Sequence, residues 1–225
     1  MNSRLSLLLR ATAFLVCGIL VLGLLLFLPA GTIHYPGAQR LLLLLFVPML
    51  LMGVVLLIKA PALLEKRLQN KEKEAAQRGV IGASALMFLA AFVLAGLDFR
   101  FGLTHAPAWL ITASCVIFLF GYAMYAEVLR ENAFLSRTIE VQENQTVVST
   151  GLYGIVRHPM YAATILMFLA MPLVLGSLLS FAVMLVYLPI ISARIRNEEA
   201  VLTEGLTGYA AYKEKVRWRL FPYLW

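Results

Sequence analysis

Charge and cysteine are both scarce in this chain. Of 225 residues 14% are charged and two are cysteine, whereas 61% are hydrophobic. So little charge over that length leaves too little polar surface for a water-soluble domain. Cys17 and Cys115 both fall inside apolar runs. Their spacing suggests neither a metal site nor a disulfide framework, so both are expected to pack as small hydrophobes. Several catalytic signatures are missing as well: Gly-x-Gly-x-x-Gly, the P-loop, Cys-x-x-Cys, His-Glu-x-x-His and the nucleophile elbow. Metal-dependent hydrolysis and phosphoryl transfer therefore have no residues to stand on, and no metal ligand is assigned.

Long apolar runs fill the chain instead. Leu5 to Leu28 is broken only by Arg10, and the runs Leu41 to Ile58, Val80 to Leu97 and Trp109 to Ala126 follow. A hydrocarbon core about 30 Å thick needs roughly 20 helical residues, and each run is close to that length. Met160 to Leu175 and Leu178 to Ala193 are shorter and carry Pro172 and Pro189. They are expected to form a two-helix hairpin inside the bundle, where neighbours satisfy the backbone groups that proline frees. The first run exceeds the core of a signal peptide and has no small-residue cleavage site before Pro29, so it is expected to stay as a span. The fold class is therefore all-α: a polytopic membrane helix bundle of five to six membrane-embedded helices.

The basic residues give the orientation. With six segments numbered in order, the connections alternate between two sides. All of the 19 lysines and arginines except Arg40 and Arg100 then fall on the side that holds both termini. By the positive-inside rule that side is cytoplasmic. Basic loops beside anionic headgroups account for the net charge of +7, and no basic run interleaved with aromatics argues for nucleic acid.

Residues 1–126 read as transmembrane scaffold and 127–225 as the part that carries chemistry, within one integral-membrane domain. In the first part, a Gly- and Pro-rich turn from Pro29 to Gln39 holds Tyr35 near the interface, and Ala62 to Arg78 reads as a charged surface helix. Asp98 to Ala108 reads as a loop with an exposed His105. In the second part, Thr138 to Ser149 alternates apolar and polar residues, as in a short hairpin or extended surface loop. Thr150-Gly151-Leu152-Tyr153-Gly154 then leads into Arg157-His158-Pro159-Met160-Tyr161. Proline is tolerated in the first helical turn, so Arg157 and His158 should cap the fifth segment. Beyond the sixth segment an amphipathic helix should continue through Leu202 into a basic, aromatic tail.

A hairpin sets the start of its first helix beside the end of its second. Arg157, His158 and Tyr161 should thus meet Arg194, Glu198 and Glu199, at the positive end of a helix dipole. Acids suit an ammonium or a ribose and bases suit a carboxylate, so the set fits a zwitterionic ligand. Arg194 and Glu198 also have i,i+4 spacing, which fits a self-neutralising interfacial pair equally well.

Arg157-His158-Pro159-Met160-Tyr161 followed by an apolar hairpin and Glu198-Glu199 resembles the signature of the isoprenylcysteine carboxyl methyltransferase family. That family is grouped with the integral-membrane phospholipid methyltransferases. The likeness extends over about the last hundred residues, through Ser136-Arg137-Thr138, Val141-Gln142-Glu143, Thr150 to Tyr153, Tyr209-x-x-Tyr212 and Arg217 to Pro222. Leu152 departs from the pattern, which often has proline after the glycine.

The resemblance implies an S-adenosylmethionine-dependent methyltransferase with a cytoplasmic cofactor pocket. Arg157, His158, Tyr161, Glu198 and Glu199 would hold the cofactor, and Gln142, Gly151 and Tyr153 would form a loop wall. Arg194 and Glu198 would be catalytic, Arg194 by orienting an acceptor carboxylate bidentately. A lipid-like or prenylated acceptor would enter from the bilayer. Carboxyl O-methylation leads, and phospholipid N-methylation is the alternative. Methyl transfer suits the absences noted above, because a sulfonium donor is already activated and alignment supplies much of the rate.

Two other classes compete. A sterol-reductase-like enzyme would use NADPH in the same pocket, and this chain is short for it. A transporter or assembly factor would be expected to carry ionisable residues near the midplane, where these spans have almost none. For topology, reporter fusions after residues 35 and 103 should report the outside, and fusions after residues 70 and 225 the inside. An external C-terminus would overturn the orientation.

Overall fold

The computed structural model of the chain describes residues 3–68, 75–135 and 141–225. Regular structure among them is entirely helical: α1 Ser3–Ala30, α2 Pro36–Lys59, α3 Pro61–Leu68, α4 Ala75–Phe101, α5 Ala108–Glu131, α6 Pro159–Leu175, α7 Leu178–Met184, α8 Tyr187–Gly205 and α9 Tyr209–Lys215. Five stretches are long and apolar enough to cross a membrane: Leu5–Ala30, Pro36–Lys59, Gly79–Phe101, Ala108–Glu131 and Leu178–Gly205. α6 is a shorter apolar helix between the last two. The chain is thus a multi-pass membrane protein.

Large apolar side chains point outward on the long helices, among them Leu20, Leu24 and Leu28 of α1, Leu43 and Leu51 of α2, and Val116 and Phe120 of α5. Such a surface has no place in water and is ordinary against acyl chains. Cys17 lies on it, so it faces outward rather than packing inside, while Cys115 is half-buried. α6 behaves in the opposite way, with eleven of its 17 residues buried. A helix that is apolar all round belongs in the middle of a bundle. Its closest neighbour is α5, where Gly121 lets the backbones meet: a Cβ there would stand 2.7 Å from Met167 Cγ and 3.0 Å from the Ala163 carbonyl oxygen.

The hairpin forms as expected, with a break that the run of apolar residues did not reveal. Gly176 adopts φ 87° and closes α6, with Ser177 N bonded to the Pro172 carbonyl at 3.0 Å. Ser177 then caps α7 by accepting from Ser180 N at 3.0 Å. The helix breaks at Leu185 and Val186. Pro189 stands four residues after Leu185, where its ring would meet that carbonyl and where it has no N–H to give. α8 then continues to Gly205, three residues beyond the expected end.

Two further expectations are corrected at the end of the bundle remote from α8's charged residues. Tyr35 is buried, its hydroxyl donating to the Leu175 carbonyl at 2.9 Å instead of anchoring at an interface. Asp98 belongs to the last turn of α4 and is also buried. Its carboxylate accepts from Thr104 N at 2.6 Å, from Thr104 Oγ1 at 2.5 Å and from Ser177 Oγ. A buried acceptor with this many donors meets the requirement that interior polar groups be satisfied. Arg40 donates to the Val174 carbonyl at 3.1 Å at the same place, and His105 is exposed, as expected.

The expected surface helix from Ala62 to Arg78 is helical over Pro61–Leu68 and from Ala75, where α4 begins; residues 69–74 lie outside the described residues. Of the expected hairpin or extended loop at 138–149, residues 138–140 lie outside them too. The remainder is a loop that turns at Asn144 (φ 56°), with Gln145 N bonded to the Gln142 carbonyl at 3.1 Å.

Gly37 is where α2 meets the end of α6. A Cβ on it would lie 2.5 Å from the Leu175 carbonyl oxygen and 2.9 Å from its carbon. Gly37→Ala should therefore cost about 1–3 kcal/mol through overpacking against backbone. A lowered melting temperature in detergent is the expected result, and an unchanged one would show that the two helices can part freely.

Candidate functional site

α6 starts at Pro159, with His158 in the N-cap position. Because α8 returns beside α6, the residues Arg194 to Glu199 come level with this start. Helical geometry turns Glu198 and Glu199 about 100° apart, and the two carboxylates do different things. Glu199 points inward and is buried. It accepts from Arg157 Nε at 2.7 Å and Arg219 Nε at 2.9 Å, and its Oε1 lies 3.2 Å from His158 Nε2. An ionised carboxylate only accepts, so His158 carries its hydrogen on Nε2 in this contact.

Glu198 instead faces a cavity. The Tyr161 hydroxyl donates to its Oε2 at 2.5 Å and accepts from Arg194 Nε at 3.0 Å. The phenol of α6 thus bridges the Arg194–Glu198 spacing on α8. A three-residue chain across two helices thus joins the two residues whose spacing alone suggested a self-neutralising pair.

The C-terminal tail closes the site from behind. Arg157 N bonds to the Trp218 carbonyl at 2.9 Å and His158 N to the Arg219 carbonyl at 2.8 Å. Arg157 Nη1 adds bonds to the carbonyls of Val216 at 2.7 Å and Arg217 at 2.8 Å. The Arg219 guanidinium sits 5.2 Å over the Trp225 ring. Arg157 Nε and Nη1 are therefore engaged by one carboxylate and two backbone carbonyls, although the residue borders the cavity.

Of the sequence-predicted site residues, Gln142, Tyr153, Arg157, His158, Tyr161, Arg194 and Glu198 line this one cavity. Gly151 and Glu199 stand behind its wall. Gly151 has φ 52°, and a Cβ on it would come 2.8 Å from the Glu131 carboxyl carbon. It opens the short 3-10 turn Gly151–Gly154 that presents Tyr153. Tyr153 accepts from Asn132 Nδ2 at 2.9 Å through its hydroxyl and from the Tyr212 hydroxyl at 2.7 Å through its carbonyl. Burial pushes the Tyr153 phenol up to about 12, and it raises those of Tyr209 and Tyr212 as well.

Sequence reasoning missed several lining residues. Asn132 and Leu135 come from the loop after α5, Gln145 to Val148 from the loop before the 3-10 turn, and Leu202, Leu206 and Tyr209 from the end of α8 and the start of α9. Met160 adds an apolar face from α6. The i,i+4 step from Glu198 to Leu202 was a usable signal, since it puts both on one helix face. The N-terminal half also reaches the site: Lys66 Nζ of α3 donates to Gln142 Oε1 at 2.6 Å.

Residues 108–207 match the model of the phospholipid methyltransferase family. This stretch runs from the start of α5 to just past α8 and takes in the cavity residues from Asn132 to Leu206. No curated protein matches the sequence. Among solved structures, the chain is similar to that of the eukaryotic intramembrane Ras methyltransferase, isoprenylcysteine carboxyl methyltransferase, determined without a monobody. The TM-score is 0.54 at 18% identity, over 95% of this chain and 75% of that one. At that identity the likeness is one of fold. The chain thus carries a segment similar to the phospholipid methyltransferase family inside a fold similar to that of the isoprenylcysteine carboxyl enzyme.

Proposed function

We propose that the chain uses S-adenosylmethionine to methylate a lipid-like or prenylated acceptor, most nearly as an isoprenylcysteine carboxyl O-methyltransferase does, at the cytoplasmic boundary of its membrane. The observation that carries this reading is the single cavity in which the Arg157–Tyr161 segment meets Arg194 and Glu198. Its residues suit the cofactor chemically. Glu198 can take an ammonium or ribose hydroxyls, His158 and Gln142 offer polar contacts, and Met160, Leu202 and Leu206 form an apolar side for a purine. Bound there, the cofactor supplies a methyl group on a sulfonium. Residues 127–225 act as the catalytic part and 1–126 as its scaffold.

In this reading the protein's contribution is alignment. Arg194 holds the acceptor carboxylate, Tyr161 fixes the Arg194 side chain against Glu198, and the apolar wall keeps water from the methyl group. Near-attack geometry of this kind can lower a barrier by several kcal/mol. The family match supports phospholipid N-methylation as a second reading. An amine acceptor must lose a proton, for which His158 or Glu198 stands ready, whereas a carboxylate needs no base.

Calorimetry on the purified protein in detergent, with S-adenosylmethionine and NADPH as separate titrants, tests the cofactor. Binding of the first alone is expected, and binding of NADPH alone would favour a reductase. In an acceptor screen, Arg194→Lys should keep cofactor affinity yet lose roughly a hundredfold in turnover on a carboxylate, because an ammonium cannot reproduce the bidentate geometry. Unchanged turnover would return Arg194 to a structural role.

Glu198→Ala and Glu199→Ala should separate in their effects. Glu198→Ala should leave the melting temperature near the parent's and weaken cofactor binding about tenfold to a hundredfold, the worth of a charge-assisted hydrogen bond. Glu199→Ala strands a buried Arg157, a change that typically costs about 3–5 kcal/mol of stability. A Glu199→Ala protein that melts like the parent would overturn the clamp role of Glu199.

A further inference from the structure

Four tyrosines line the cavity: Tyr153, Tyr161, Tyr209 and Tyr212. Three of their hydroxyls are engaged, that of Tyr153 with Asn132, that of Tyr161 with Glu198 and Arg194, and that of Tyr212 with the Tyr153 carbonyl. The fourth is not. Tyr209 is 4% exposed, and its Oη is buried with no hydrogen-bond partner among the described residues. Two other atoms share that condition, Arg67 Nη1 and Asn197 Nδ2, and neither residue lines the cavity.

Packing alone does not account for this phenol. The Tyr209 ring lies 5.7 Å from that of Tyr212, in an apolar cluster with Leu206 and Val216 against which Val141, Val147 and Leu202 pack. Phenylalanine would fill the same place without burying a hydroxyl, and an interior polar group left unpaired is unfavourable. Burial first, then the charges of Glu199 and Glu198, raise the hydroxyl's pKa. It therefore stays protonated and has a hydrogen to donate. The apolar cluster around it also limits what can accept it, because an anion would lose more hydration there than a neutral group.

We propose that Tyr209 is a ligand-binding residue, donating its phenolic hydrogen to a neutral oxygen or nitrogen of the nucleoside part of the methyl donor. This rests on the S-adenosylmethionine reading above and assigns a contact outside the family-matched segment, which ends at residue 207.

The test uses Tyr209→Phe and Tyr212→Phe in the full chain, with S-adenosylhomocysteine and adenosine as calorimetric titrants and thermal melting of the ligand-free proteins. Tyr209→Phe should melt at or above the parent temperature, since it removes an unsatisfied hydroxyl, and should bind both titrants about tenfold more weakly. Tyr212→Phe, which loses an internal bond, should melt lower. Parent-like affinity of Tyr209→Phe for both titrants overturns the proposal. So does a lowered melting temperature for that variant, which would reveal an internal bond for the hydroxyl. A loss confined to S-adenosylhomocysteine would move the contact to the amino-acid end and overturn the nucleoside assignment. A parent that binds neither titrant would sink the cofactor reading itself, and this contact with it.

Discussion

The Glu199 carboxylate is the point on which the basic end of the bundle is assembled. Three cationic or hydrogen-bonding side chains converge on its two oxygens, from the loop before α6 (Arg157, His158) and from the tail (Arg219). Each donor also fixes something else. Arg157 holds two tail carbonyls, His158 begins α6, and Arg219 lies over Trp225. A buried charge is tolerable only when surrounded in this way. The geometry of the cavity therefore depends on a residue that does not touch it.

The two ends of the bundle use different chemistry for the same task. At the remote end Asp98, Tyr35 and Arg40 tie the α6–α7 turn to α4 and α2 through backbone carbonyls and short hydroxyl side chains. No aqueous hydrophobic force drives helices together inside a bilayer, so small residues and polar bonds must do so. Gly121 and Gly37 supply the close approaches and these polar residues supply the bonds. α6, gripped at both ends, is the fixed element against which α8 presents Arg194 and Glu198.

Much of this is legible in the sequence alone. Apolar run length located the spans, and Pro159 with the two-part motif located the start of α6 and its partner on α8. What escaped were interactions without a sequence signature. Nothing in Val216 or Arg217 announces that their carbonyls will receive Arg157. Glu198 and Glu199 are adjacent and identical in chemistry, and only the rotation of α8 against α6 decides which one faces the cavity. Asp98 looked like a loop residue because charge usually marks the end of a span, and its donors at 104 and 177 are unremarkable hydroxyls. Tyr209 was visible only as one aromatic in a basic tail.

The shortness of α6 has a consequence for depth. α2 and α6 meet at Gly37 and Leu175 and run from there toward the basic end, α2 to Lys59 and α6 to Pro159. At 1.5 Å per residue, His158 stops roughly 7 Å short of the level reached by Lys59. The residues at the start of α6 are therefore set deeper in the bundle than the end of α2. On the proposed function, an acceptor anchored by its hydrocarbon tail would present its polar end there without being lifted out of the lipid, and a freely water-soluble acceptor would have to descend to reach it.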